Sequence, residues 1–136
     1  MIVSGGYGLV LGREPIGWYA QQFAERMWPE GLVARCLGAY AESIEATTVI
    51  GLLAGTTGYA KVFRKVRWPP TVENAWLVSP DLDGGGAQIK VPRAIGEALA
   101  EIADGRCLPE EWTSSDGIPV RIDDVTGTPG GSGLTR

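Results

Sequence analysis

Ser4, Gly5, Gly6, Tyr7 and Gly8 bring a hydroxyl, a phenol and three glycines together within five residues. Glycine takes positive φ without steric cost and lets another backbone or a ligand come close. Successive N–H groups in such a turn can form an anion-binding nest. A second group lies at Gly55 to Tyr59 (GTTGY), where Thr56 and Thr57 add hydroxyls and Tyr59 adds a second aromatic face. Lys61 and Lys90 offer positive charge for a phosphate, while Tyr7 and Tyr59 suit stacking on a base. This chemistry is binding of a nucleotide or nucleic acid. The run GGYG has the spacing neither of a dinucleotide fingerprint nor of a P-loop, and as a bare motif it reads first as a structural turn.

Acid–base chemistry has fewer candidates. The chain has no histidine, which removes Ser-His-Asp and Cys-His mechanisms within one chain and any imidazole-based metal site. Cys36 and Cys107 stand far apart and outside a CxxC pair, so they read as reduced thiols, and no metal site or cofactor is expected. Glu14, just past the glycine loop, and Asp81 and Asp83, after the third strand candidate, are the carboxylates best placed for proton transfer. Surface turns account for all three as well.

The elements that position these residues follow from hydrophobic period. Ile2 to Ser4 reads as a short strand running into the glycine loop. Trp18 to Met27 is expected to form a short helix, broken at Trp28-Pro29. Val33, Cys36, Leu37, Tyr40 and Ile44 mark one face of a helix over Leu32 to Ile44. Thr47 to Leu53 is a continuous apolar run that suits a strand buried on both faces. Thr56 or Thr57 can cap the next helix, whose inner stripe is Tyr59, Val62, Phe63 and Val66. Lys61, Arg64, Lys65 and Arg67 lie off that stripe and suit either a solvated face or phosphate contacts. Asn74 to Val78 is a third strand, followed by the glycine-rich Asp81 to Gln88. Pro92 is expected at the first position of a helix whose stripe is Ile95, Ala98, Leu99 and Ile102, with Gly105 as its cap. Leu108 to Trp112 suggests a brief helical turn and Ile118 to Ile122 a last strand.

Strands alternating with helices point to an α/β fold, a small, mainly parallel sheet flanked by helices. A single domain over 1–122 with a flexible tail over 123–136 is expected. In such a sheet the loops after the strands gather at one edge, which would bring Ser4–Gly8, Gly55–Tyr59 and Ser79 onward together. A chain of 136 residues with 44% hydrophobic and 21% charged residues has an ordinary globular balance. Its net charge of −4 argues against a wholly nucleic-acid-binding surface. No apolar run approaches the roughly 20 residues of a membrane helix, and no charged leader precedes an apolar segment, so a cytoplasmic location is expected. Trp18 is the tryptophan best placed for base stacking. A first strand with nothing to cover one side suggests an edge, completed in a homo-oligomer or by a partner chain.

Several segments, in order, resemble the YaaA peroxide-stress family and its actinobacterial relatives. Ser4-Gly5-Gly6-Tyr7-Gly8-Leu9 is similar to that family's strand and Ser-Gly-x-Tyr-Gly-Leu loop, followed by Glu14, Ile16 and Tyr19. Leu53-Ala54 with Tyr59-Ala60-Lys61 resembles a second segment, and Lys90, Arg93 and Gly96 a third. The resemblance implies DNA or nucleotide binding linked to oxidative-stress protection. It also implies a preceding strand with a Ser- or Lys-bearing loop, which this chain does not show. The Gly-Gly-Tyr-Gly run is similar too to the nucleotide loop of LOG-type phosphoribohydrolases, which implies hydrolysis of an N-glycosidic bond. A non-catalytic interaction module is the remaining alternative.

Overall fold

The computed structural model describes residues 1–4, 6–18, 20–82, 84–106, 109 and 111–127. Strands β1 (Ile2–Ser4) and β2 (Gly8–Val10) pair antiparallel, with Ser4 opposite Gly8. They form a separate two-stranded ribbon, apart from the main sheet. The glycine loop is therefore a hairpin turn and not a strand-to-helix loop of a parallel sheet. Helix α1 (Leu32–Ser43) follows, then strand β3 (Thr48–Leu52), helix α2 (Gly58–Phe63), strand β4 (Asn74–Pro80), helix α3 (Ala87–Ala103), and strands β5 (Glu111–Thr113) and β6 (Pro119–Asp124).

The main sheet has the order β3-β4-β6-β5. Among the described residues only β3 and β4 pair parallel, whereas β4–β6 and β5–β6 are antiparallel. The expected mainly parallel sheet is thus corrected to a mixed one. The cause lies in the last hairpin. Helix α3 returns the chain so that β5 runs in the same sense as β4, as a crossover should. A tight turn then folds β6 back between them. Gly117 takes φ 74° in that turn, and Gly117 N–H donates to the Ser114 carbonyl at 2.9 Å. The helical pattern announced the crossovers, but period alone does not announce the insertion of a returning strand.

The sheet is covered on both faces. Ala75 and Leu77 of β4 pack toward Ala41 of α1 and Ala60 and Phe63 of α2. Val78 faces the other way, onto Ala94 and Ala98 of α3 and Val120 of β6. Alternation along β4 separates these two sets, as a strand buried on both sides requires. Gly51 is demanded by packing, because a Cβ there would stand 2.8 Å from the Phe63 ring. β3 does not match its expected complete burial. Gly51 is buried, Val49, Ile50 and Leu52 are half-buried, and Thr48 is exposed, because β3 lies at the end of the sheet.

Several local expectations also change. Of the stretch expected as a helix from Trp18 to Met27, Tyr19 lies outside the described residues, and Trp18 and 20–27 are irregular apart from one 3-10 turn at Glu25–Met27. Its apolar residues are scattered, and Trp18 is 92% exposed, so no amphipathic face exists to hold a helix. Pro92 lies inside α3 and not at its start. It deprives the Gln88 carbonyl of its usual partner there, at an exposed position of the second turn. Leu99 of the expected α3 stripe is 49% exposed, and Ala94 with Ala98 makes the buried contact instead. Trp112 belongs to β5 and not to a helical turn, while Leu108 lies outside the described residues. Order continues past residue 122: Asp123 and Asp124 complete β6, and Val125 N–H donates to the Ala75 carbonyl at 2.8 Å. Residues 128–136 of the expected tail lie outside the described set.

The helix ends behave as the sequence suggests. Thr57 caps α2, its Oγ1 accepting from Ala60 N–H at 3.4 Å. Gly105, at φ 75°, follows α3, with Gly105 N–H on Ile102 and Arg106 N–H on Glu101, both at 3.0 Å. This pair of bonds satisfies the last carbonyls of the helix. Among the described residues, no helix is long and apolar enough to cross a membrane.

Candidate functional site

The strongest site begins where the parallel pair ends. Ligands in α/β sheets sit beyond the carboxyl ends of parallel strands, and β3 and β4 form such a pair. After β3 the chain turns through Ala54-Gly55-Thr56-Thr57 into α2. After β4 it passes Asp81 and Leu82 toward α3. A crevice of about 130 Å³ separates these two connections. Its lining includes Gly55, Thr56, Arg64, Ser79, Asp81 and Arg121.

Each of these residues is placed by a distinct cause. Ser79 is buried near the end of β4, and a Cβ on Gly55 would stand 3.2 Å from its Oγ. Glycine at 55 therefore lets the first connection lie directly over the second strand. Arg64 follows the last turn of α2 and reaches back over the crevice. Its Nη1 donates to the Gly55 carbonyl at 3.1 Å, and its Nη2 donates to Asp123 Oδ2 at 3.0 Å. Arg121 stands opposite Ser79 in the β4–β6 ladder, with an ion pair to Asp123 of 3.5 Å. The Arg121 side chain remains 62% exposed. Two guanidinium groups thus share one carboxylate, and with Asp81 also in the lining the formal charges around the crevice balance.

The chemistry follows from this set. Arginine presents a planar fork of donors that matches the oxygens of a phosphate. The exposed Thr56 hydroxyl and Ser79 add donors, and the exposed Asp81 adds an acceptor suited to a sugar hydroxyl or a base amino group. The volume falls well below the ~300–1,000 Å³ of pockets that enclose a whole small molecule. The crevice is therefore sized for one charged group of a larger ligand.

The residues singled out from the sequence divide among three places. Thr56 lines the crevice, and Thr57 stands beside it, its hydroxyl donating to the Ala54 carbonyl at 2.7 Å. Lys61 is exposed in the last turn of α2 and Lys90 in the first turn of α3, the helices that follow β3 and β4, and neither lines the crevice. Tyr59 stacks on Phe23 with ring centroids 4.4 Å apart, so that face of the phenol is covered. Ser4, Gly6, Tyr7 and Gly8 belong to the hairpin and not to the crevice lining. Ser4 is buried and its Oγ accepts from Tyr7 N–H at 3.2 Å. Gly8 takes φ 75°, and a Cβ there would meet the Trp28 ring at 3.1 Å. Tyr7 Oη accepts from Gly17 N–H at 3.2 Å. Glu14 closes its own turn, its carboxylate accepting from Leu11 N–H. Gly5 and Asp83 lie outside the described residues.

The basic run after Lys61 does not form one surface. Arg64 turns to the crevice, and Lys65 pairs with Glu25 at 2.9 Å. Arg67 joins Arg35 and Lys65 along an open groove of about 630 Å³ beside α1, with Glu42 also in its wall. Among the described residues, no cluster of His, Cys, Asp and Glu could hold a metal ion.

Arg121 and Asp123 escaped sequence reasoning as site residues. The signal was present: Val120, Arg121, Ile122 and Asp123 alternate apolar and charged, the mark of a strand with one polar face. Compared with known proteins, the chain matches no family model, no curated protein and no solved structure.

Proposed function

We propose that this protein binds a nucleotide, seating a phosphate in the crevice between Gly55-Thr56 and Ser79-Asp81. The carrying observation is the convergence of Arg64 and Arg121 on Asp123 at the carboxyl end of the parallel pair. Arg121, Thr56 and Ser79 meet the phosphate, while Arg64 holds the Gly55 turn in place. Asp81 accepts from the sugar or base. The segments similar to the YaaA family support the same ligand class and a role in oxidative-stress protection.

A nucleic-acid strand is the second reading, favoured by Arg35, Lys65 and Arg67 along the open groove. Calorimetric titration with AMP, ADP and ATP separates the two. Under the nucleotide reading, Arg121→Ala weakens binding at least about tenfold, the loss expected for one charge-assisted hydrogen bond. Under the strand reading, Arg67→Ala weakens binding of a single-stranded oligonucleotide and reduces its salt dependence.

A further inference from the structure

The two edges of the main sheet are unlike. The β5 edge is three residues long and carries the exposed Glu111. Short, charged edges discourage pairing with other chains. The β3 edge is five residues long, reads Thr-Val-Ile-Gly-Leu, and has no charged side chain. It opens into a trough of about 480 Å³ shared with β1 and α1. Not one of the sixteen described residues lining that trough is Asp, Glu, Lys or Arg, in a chain whose charged residues make up 21%. Ile2 and Ile44, on its rim, are 52% and 56% exposed.

The backbone of β3 is ordered for a further partner. Thr47 carbonyl accepts from Asn74 N–H, and Leu53 N–H donates to the Val78 carbonyl. In a strand, alternate residues bond to alternate sides. The odd-numbered residues of β3 therefore serve β4, and Thr48, Ile50 and Leu52 turn their N–H and C=O groups to the open edge.

We propose that this edge pairs antiparallel with the β3 edge of a second copy of the chain, about a two-fold axis at Ile50. This register makes Ile50 face its symmetry mate and sets Thr48 opposite Leu52 of the second copy. All three pairs are of the hydrogen-bonded kind, which gives about six new bonds. Val49 then stands opposite Gly51, which brings no second side chain to that pair. The occupant follows from charge. A neutral edge offers nothing to steer a charged peptide and nothing to repel its own copy, and a two-fold contact requires a surface complementary to itself. The product is a continuous eight-stranded sheet across two subunits, each supplying the four strands of its own main sheet.

Sedimentation equilibrium of the parent protein and of Thr48→Lys at about 100 µM tests this, a concentration that populates even a weak dimer. Thr48 is exposed and does not bond to β4, so lysine there leaves the fold intact, which circular dichroism verifies. The parent is expected to sediment as a dimer and Thr48→Lys as a monomer. A second variant, Ile50→Cys with Cys36→Ser and Cys107→Ser, should form an intersubunit disulfide on mild oxidation, because the facing Cα atoms lie within bridging range. A monomeric parent overturns the proposal. A dimer that persists in Thr48→Lys, with no cross-link in the Ile50→Cys variant, overturns it equally.

Discussion

Arg64 and Asp123 meet at 3.0 Å across residues 59 positions apart, joining the end of α2 to the strand that returns last to the sheet. The same guanidinium holds the Gly55 carbonyl, so one side chain ties the Gly55 wall of the crevice to β6. Its side chain and that of Asp123 are 37% and 29% exposed, which keeps the pair partly screened. A double-mutant cycle with Arg64→Ala and Asp123→Ala, read by urea unfolding, should give a coupling of about 0.5–1 kcal/mol. The coupling should shrink in high salt.

Gly51 has no alternative. Its place for a Cβ lies 2.8 Å from a Phe63 ring that is itself buried. Gly51→Ala should destabilise the protein by about 1–3 kcal/mol, the usual cost of overpacking a filled core. Adding Phe63→Leu should give back part of that loss, so the two changes measured by denaturation would be less than additive.

Thr57 both accepts from Ala60 N–H and donates to the Ala54 carbonyl. Thr57→Ala should cost about 1 kcal/mol, and Thr57→Ser should retain most of the stability. Thermal unfolding of the two variants distinguishes loss of the hydroxyl from loss of the methyl group.

Glu97 reports on the β5–β6 hairpin. The Ser115 hydroxyl, and next its backbone N–H, donate to the Glu97 carboxylate and hold its pKa below the ordinary value. A carboxyl whose folded pKa lies below its unfolded one stabilises the fold above the unfolded value. That contribution disappears as pH falls through the folded pKa. Ser115→Ala removes the larger cause, so an NMR titration should show Glu97 moving up toward the usual glutamate range.

Much of this framework was legible in the sequence. The helix at Leu32 to Ser43, the strand at Thr48 to Leu52 and the Thr-capped start of α2 are local signals that survive folding. The inner face of α1, however, is Val33, Ala34, Gly38 and Ala41, and the expected face members Cys36 and Ile44 are exposed. What was hidden depended on contacts distant in sequence. Ser4 to Gly8 has the composition of a ligand loop, but a hairpin that packs Gly8 against Trp28 at positive φ calls for that glycine as well. The strand candidate at Ile118 to Ile122 carried the right period, yet its place between β4 and β5 is set by a turn at Gly117 and by room beside Val78. Arg121 became a site residue only through that placement.

Nucleotide binding in the crevice is tested most directly by amide NMR mapping of the parent protein titrated with ADP. Phosphate seated there predicts shifts centred on Gly55, Thr56, Ser79 and Arg121 that saturate with nucleotide and collapse in Arg121→Ala. Shifts confined to Gly6, Tyr7 and Gly8, or saturable shifts unchanged by Arg121→Ala, would contradict it.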